Sequence, residues 1–343
     1  MPSTLLTGAN SFVAAHIINA LIRDGHHVTG TVRRASAGDE ILALHPEWKD
    51  SLDIVVVEDI TDQSAWDTIF TDNKFDHVVH VAAPLLDNPA NTDYDKHFLQ
   101  PSVEGNLALL RSAHLHAPGL KSIAVTGSIN ASTTGSPAEL TAGPITSSTW
   151  LPISQEEARA MNNAYISYCS GKKEGELAIW DFVKTQTPHF GVTVFLPALI
   201  FGPPIEPLSG KGGVEGLHYS ANVIYQLING SNATVPATTF PSYIDVRDLA
   251  DAHVKALTEP KVANKRLTIG GQSMTYTDLV RALKGVKELE GRKMPEESGE
   301  DKKVTPAKVE ADEGNEALNM TFRTLEETMR DTAVRLVELE RRG

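Results

Sequence analysis

Short apolar runs alternate along this chain with stretches whose apolar residues recur at helical spacing. Ser3-Thr4-Leu5-Leu6 is the first run, and Ala15 to Asp24 then repeats at helical period until Gly25 stops it before a second run, His27 to Val32. Ile54 to Val57, His77 to Ala83, Ser122 to Val125 and Val192 to Leu196 are further strand-like runs, and Asn163 to Lys184 reads as helix. Strands alternating with helices predict an α/β fold with a parallel sheet. At 343 residues and 41 % hydrophobic content, the chain can bury a large core. The expectation is a Rossmann-type doubly wound sheet with a smaller, mostly C-terminal lobe.

The junctions between these elements carry the chemistry. Thr7-Gly8-Ala9-Asn10-Ser11-Phe12-Val13-Ala14 follows the first strand and opens the first helix, the arrangement of a phosphate-binding βαβ turn. Helix N-terminal amides bind a pyrophosphate there, so small residues must line the turn. Glycines are expected at 8, 11 and 14, and the chain has Gly8, Ser11 and Ala14. Alanine serves at the third place, but Ser11 either crowds the phosphate or donates a hydrogen bond to it. After the second strand stand Arg33 and Arg34, where an NAD site would place an acid; a guanidinium fork there suits the 2′-phosphate of NADP. Glu58-Asp59-Ile60 ends the third strand, with an acid able to hold an adenine amino group. Val81-Ala82-Ala83 ends the fourth in small residues, suited to lie against pyrophosphate and ribose. The fifth ends in Thr126-Gly127-Ser128 and the next turns out of the sheet at Pro197. Ligands of parallel sheets bind at strand C-terminal ends, so these junctions share one edge.

Tyr168 and Lys172 lie four residues apart on the predicted helix and share one face. A neighbouring ammonium lowers a phenol from its usual pKa of about 10, so the pair is expected to protonate a carbonyl oxygen.

The turn at 7–14, Thr126-Gly-Ser128, Tyr168-x-x-x-Lys172, Leu196-Pro197-x-x-x-x-Gly202-Pro203 and Ser242-Tyr-Ile-Asp-Val-Arg-Asp-Leu-Ala-Asp-Ala-His253 appear in the order and spacing of the extended short-chain dehydrogenases/reductases. The chain most resembles the branch of methylglyoxal reductase, fungal aldehyde reductases, dihydroflavonol 4-reductase and cinnamoyl-CoA reductase, down to Phe322-Arg-Thr-Leu-Glu-Glu-Thr. The resemblance implies that Gly8 to Val13 and Arg33 bind the phosphates of NADP(H), Asp59 and Ile60 the adenine, and Ile200 and Ser220 the nicotinamide end. It implies Ser128, Tyr168 and Lys172 as the catalytic set. Gly127 stands where relatives carry serine, which would loosen that loop, and Ala37 stands where some carry a lysine for the 2′-phosphate. The expected domains are a cofactor domain of residues 1–203 with 241–258 returning to it, and a substrate lobe of 204–240 and 259–343.

Composition narrows the partners. A net charge of −13 argues against nucleic acid or an anionic membrane. The single cysteine, Cys169, leaves no disulfide framework, and no run reaches a membrane span, so a cytoplasmic protein is expected, monomeric or homodimeric. The 12 histidines read as core or solvated side chains, with no metal site. Pro84 to Leu86, Ile129 to Ala131, Tyr165, Ile205 and Gly212 to Val214 are candidate pocket residues; few are charged, which points to an apolar or aromatic carbonyl substrate. Gly210-Lys211-Gly212-Gly213 reads as a lid. The leading expectation is an NADPH-dependent carbonyl reductase. A nucleotide-sugar epimerase or dehydratase and a catalytically silent NADP(H) sensor are the alternatives, the first disfavoured by Ile129 after Ser128, where an acid would be wanted, and the second by the intact Ser128, Tyr168 and Lys172.

Overall fold

The computed structural model describes residues 1–86, 93–205, 213–299 and 303–342. The strands are β1 Ser3–Thr7, β2 His27–Val32, β3 Leu52–Val56, β4 His77–His80, β5 Ser122–Thr126, β6 Gly191–Leu196, β7 Leu199–Phe201, β8 Ser242–Asp245, β9 Lys265–Thr268 and β10 Gln272–Ser273. The helices are α1 Phe12–Arg23, α2 Ala35–Leu44, α3 Gln63–Asp72, α4 Gln100–His116, α5 Pro137–Ala142, α6 Gln155–Met161, α7 Ala164–Gln186, α8 Tyr219–Ile228, α9 Val246–Ala256, α10 Tyr276–Lys284, α11 Asp312–Ala317 and α12 Leu325–Arg342.

The main sheet has the order β3-β2-β1-β4-β5-β6-β9, with every neighbour parallel. Its strands are apolar on both faces because helices cover both. Leu6, Val79 and Ala124 point to the face under α1 and α9, and their neighbours Leu5, Val78 and Ile123 to the face under α3, α4 and α7. Strand order reverses between β1 and β4, which opens a crevice at their C-terminal ends. Thr7 Oγ1 closes the floor of that crevice: it accepts from the amides of Val81 and Ala82, both at 3.0 Å, and is bonded to His80 Nδ1 at 2.8 Å.

The second sheet, β10-β8-β7, joins α8, α10 and α12 in a separate core around Ile224, Leu227, Leu279, Leu283, Met329 and Leu336. Each such buried side chain contributes roughly 1.5–3 kcal/mol, so this lobe holds itself together. The chain crosses between lobes more often than the sequence suggests. Lys265–Thr268, expected in the smaller lobe, is the outermost strand of the main sheet, registered against Thr193–Leu196 of β6. Conversely, β7 and β8 pair in the smaller sheet, although the sequence places 199–203 and 242–245 with the cofactor domain. These short segments carry no long periodic signal, and only pairing with distant strands decides their sheet.

Candidate active site

The phosphate turn starts from backbone geometry. Gly8 has φ +71°, and a Cβ there would come within 3.2 Å of the Ala82 backbone, so the ends of β1 and β4 approach closely only because residue 8 is glycine. The amide of Gly8 donates to Thr31 Oγ1 (3.3 Å) and that of Ala9 to the Thr31 carbonyl (2.8 Å). Ser11 is the N-cap of α1 and its Oγ accepts from the Ala14 amide at 3.4 Å. The serine in place of glycine is therefore engaged with the helix through an oxygen lone pair, which leaves its hydroxyl proton to donate, while the first-turn amides of Phe12 and Val13 lack intrahelical acceptors by helix geometry. Asn10 is exposed; Thr7, Ala9 and Pro197 are buried and shape the cleft from behind. The Phe12 ring stacks on His218, the N-cap of α8, with centroids 3.6 Å apart, and Ser220 Oγ lies 3.3 Å from His218 Nδ1. This contact joins the phosphate turn to the smaller lobe.

Along the same edge, Arg33 and Arg34 are exposed at the end of β2, and among the described residues neither pairs with an acid. Asp59 accepts from the amide and hydroxyl of Thr61, each at 2.8 Å, and the Ile60 carbonyl accepts from Trp66 Nε1 at 2.8 Å. Trp66 is fully buried, so the turn expected at the adenine is anchored in the core. Val81, Ala82, Ala83 and Ile200 are half-buried, and Thr126 Oγ1 is bonded to His253 Nε2 at 2.8 Å.

The chemical end is built on α7. Asn163 caps it, its Oδ1 accepting from the Ile166 amide at 3.1 Å, and the helix runs on to Gln186. Lys172 Nζ sits 5.9 Å from the centroid of the Tyr168 ring. Both side chains are half-buried. Burial pushes the Tyr168 phenol up to about 12, and the Ser128 hydroxyl pulls it back. The Lys172 ammonium beside the ring is itself driven down by burial, to about 8, with the Glu176 charge opposing that fall. Ser128 is held from its other side by Asn130, whose amide donates to Ser128 Oγ at 3.2 Å, and Asn130 Nδ2 donates to the Tyr165 hydroxyl at 2.9 Å.

Two expectations around Ser128 change. Gly127 does not loosen the loop: its amide donates to the Phe195 carbonyl at 2.8 Å, and a Cβ there would meet that oxygen at 2.7 Å and Val194 at 2.9 Å. Ile129 and Ala131 do not line a pocket; both are buried, Ile129 against Leu140, Ile145 and Phe240. Leu85, Leu86 and Tyr165 remain exposed. Residues 210–212 of the expected lid lie outside the described residues. Sequence reasoning missed His218, Glu176 and Arg266. Glu176 was in reach of the same i,i+4 logic that paired Tyr168 with Lys172, whereas the other two arrive from distant segments.

A wholly parallel sheet with a glycine turn at its switch point, and a tyrosine-lysine pair at the same strand edge, defines a dinucleotide-binding α/β protein of the Rossmann type. The chain belongs to the NAD dependent epimerase/dehydratase family, whose model matches residues 4–270. It is similar to ketoreductase azaE of Aspergillus niger, 30 % identical with 97 % of each chain covered. It is similar also to the NADPH-dependent methylglyoxal reductase GRE2 of Saccharomyces cerevisiae, 26 % identical with 99 % of each covered. The crystal structure of Gre2 in complex with NADPH from Candida albicans superposes with a TM-score of 0.85 at 26 % identity over 99 % of each chain. No helix among the described residues is long and apolar enough to cross a membrane.

Proposed function

We propose that the chain is an NADPH-dependent carbonyl reductase that converts a small ketone or aldehyde to the alcohol. The observation that supports this reading is the gathering of Ser128 and Lys172 beside Tyr168, in a chain whose Gly8 turn and exposed Arg33 and Arg34 stand at the C-terminal ends of the neighbouring strands.

The residues fit the cofactor. The close approach at Gly8, the first-turn amides of Phe12 and Val13 and the capping of Ser11 leave an anion site at the helix N-terminus, and Arg33 with Arg34 supplies the local positive charge that a protein of net charge −13 needs. When bound, the dihydronicotinamide supplies the hydride that reaches the carbonyl carbon. Ser128 Oγ donates to the carbonyl oxygen as negative charge grows there, a preorganised donor of the kind whose removal costs about 3 kcal/mol of barrier. Tyr168 passes its hydroxyl proton to that oxygen, leaving a phenolate that takes up a proton from solvent. Lys172 keeps positive charge beside the phenol and holds the ribose. Asn130, bonded to both Ser128 and Tyr165, fixes where the serine hydroxyl points. The exposed Leu85, Leu86 and Tyr165 favour an apolar or aromatic carbonyl compound.

Replacement of Tyr168 by Phe tests the assignment, since it removes one oxygen and keeps the ring. Turnover is expected to fall at least ~100-fold with NADPH affinity nearly unchanged. Turnover equal to that of the unmodified protein would remove Tyr168 from the chemistry.

A further inference from the structure

One turn of α7 beyond Lys172, the Glu176 carboxylate is only 3 % exposed and has an unused acceptor. Its Oε1 accepts from Trp180 Nε1 at 3.0 Å and from Arg266 Nε at 2.8 Å, while Oε2 is buried without a hydrogen-bond partner. Arg266 is fixed in turn. Its Nη1 donates to the carbonyls of Ser147 (2.9 Å) and Thr149 (2.7 Å), its Nη2 to Ser132 Oγ (3.0 Å), and its guanidinium lies 3.8 Å from the centroid of the Trp150 ring. Glu176 and Lys172 line one cavity together with His80, Asn106 and Thr126. A buried carboxylate with one oxygen unsatisfied is costly, and a single arginine already meets the other oxygen.

We propose that Glu176, clamped by Arg266 one helical turn from Lys172 on the wall of the same cavity, is a positioning residue for Lys172 that keeps its ammonium charged. The inference rests on the functional reading above, in which Lys172 acts as a cation. Burial is what drives Lys172 toward neutrality, and Glu176 opposes it. The other groups around the lysine do not supply a negative charge. His80 on β4 is held near about 4 by burial and is neutral, Tyr168 is protonated, and α4 contributes the uncharged Ser102 and Asn106. On Glu176 itself burial is the largest influence and raises the pKa overall, and the Arg266 guanidinium, in contact at 2.8 Å, is the strongest influence opposing it and favouring the carboxylate. Arg266 therefore sets the charge that sets Lys172.

The test reads the lysine directly. The ¹³Cε resonance of Lys172, assigned by its loss in Lys172→Met, is titrated in protein without cofactor, and kcat/KM for NADPH-dependent reduction is measured over the same pH range. In Glu176→Gln the lysine midpoint is expected about one pH unit lower, and the alkaline limb of kcat/KM is expected to move with it. Arg266→Lys, which keeps the cation, is expected to leave both near the wild-type positions. If Glu176→Gln does not fold, Arg266→Gln is expected to neutralise Glu176 and give the same acidward shift. An unmoved midpoint, or an activity loss uniform across pH, overturns the proposal. If the wild-type protein oxidises no NADPH with any carbonyl compound, the functional reading fails, and the cofactor-free titration still judges Glu176 alone.

Discussion

The two ends of the cleft are built by opposite physical means. At the phosphate end, Arg33 and Arg34 stay in solvent and α1 offers free amides, on a turn held by contacts such as Ser11 to Ala14 within the helix and Gly8 to Thr31 on the neighbouring strand. At the chemical end, Tyr168 and Lys172 are packed away from water, their titration is displaced by burial, and their support reaches Glu176 from Arg266, 90 residues further along the chain. Recognition of an anion needs exposed charge and available donors; proton transfer needs groups whose charge the protein controls.

Substitutions can break either end separately. Tyr168→Phe, with its ~100-fold loss, strikes the chemical end and spares binding. The Arg33→Ser, Arg34→Ser double variant should do the reverse: NADPH affinity falls roughly 10- to 100-fold, the loss of one or two charge-assisted contacts, while NADH affinity stays put. Isothermal titration with both cofactors checks this, and an equal loss for both would place the 2′-phosphate elsewhere.

Gly127→Ser should destabilise the protein by about 1–3 kcal/mol, because its Cβ meets the Phe195 carbonyl. Denaturant melts decide the sign. A further effect is expected in acid. His16, His77, His80 and His253 are held near about 4 by burial, against about 6.5 when unfolded. The unfolded chain then binds more protons below pH ~6.5, so stability is full above that pH and falls as pH drops toward 4. Calorimetry from pH 7 to 5 should show Tm declining, with a shallower slope in His80→Gln.

The same contrast explains what the sequence revealed. The glycine turn, Arg33, and the pairing of Tyr168 with Lys172 are local patterns, and the order of their strands follows from right-handed crossovers. The stacking of Phe12 on His218 and the Arg266 clamp join residues far apart in sequence, and no periodicity announces them. Gly127 shows a related limit: a departure that reads as looseness is tight packing, because β6 has closed over the missing side chain. Ser11 is a related case: read from the sequence only for crowding or hydrogen-bonding a phosphate, it caps α1 through the Ala14 amide.

The most direct test is to titrate the purified protein with NADPH and with NADH, then follow loss of NADPH absorbance with a panel of aldehydes, α-dicarbonyls and aryl ketones. The account predicts tighter binding of NADPH and its stoichiometric oxidation by at least one member, with the alcohol as product. Failure to bind NADPH, or conversion of a sugar nucleotide without net cofactor consumption, would contradict it.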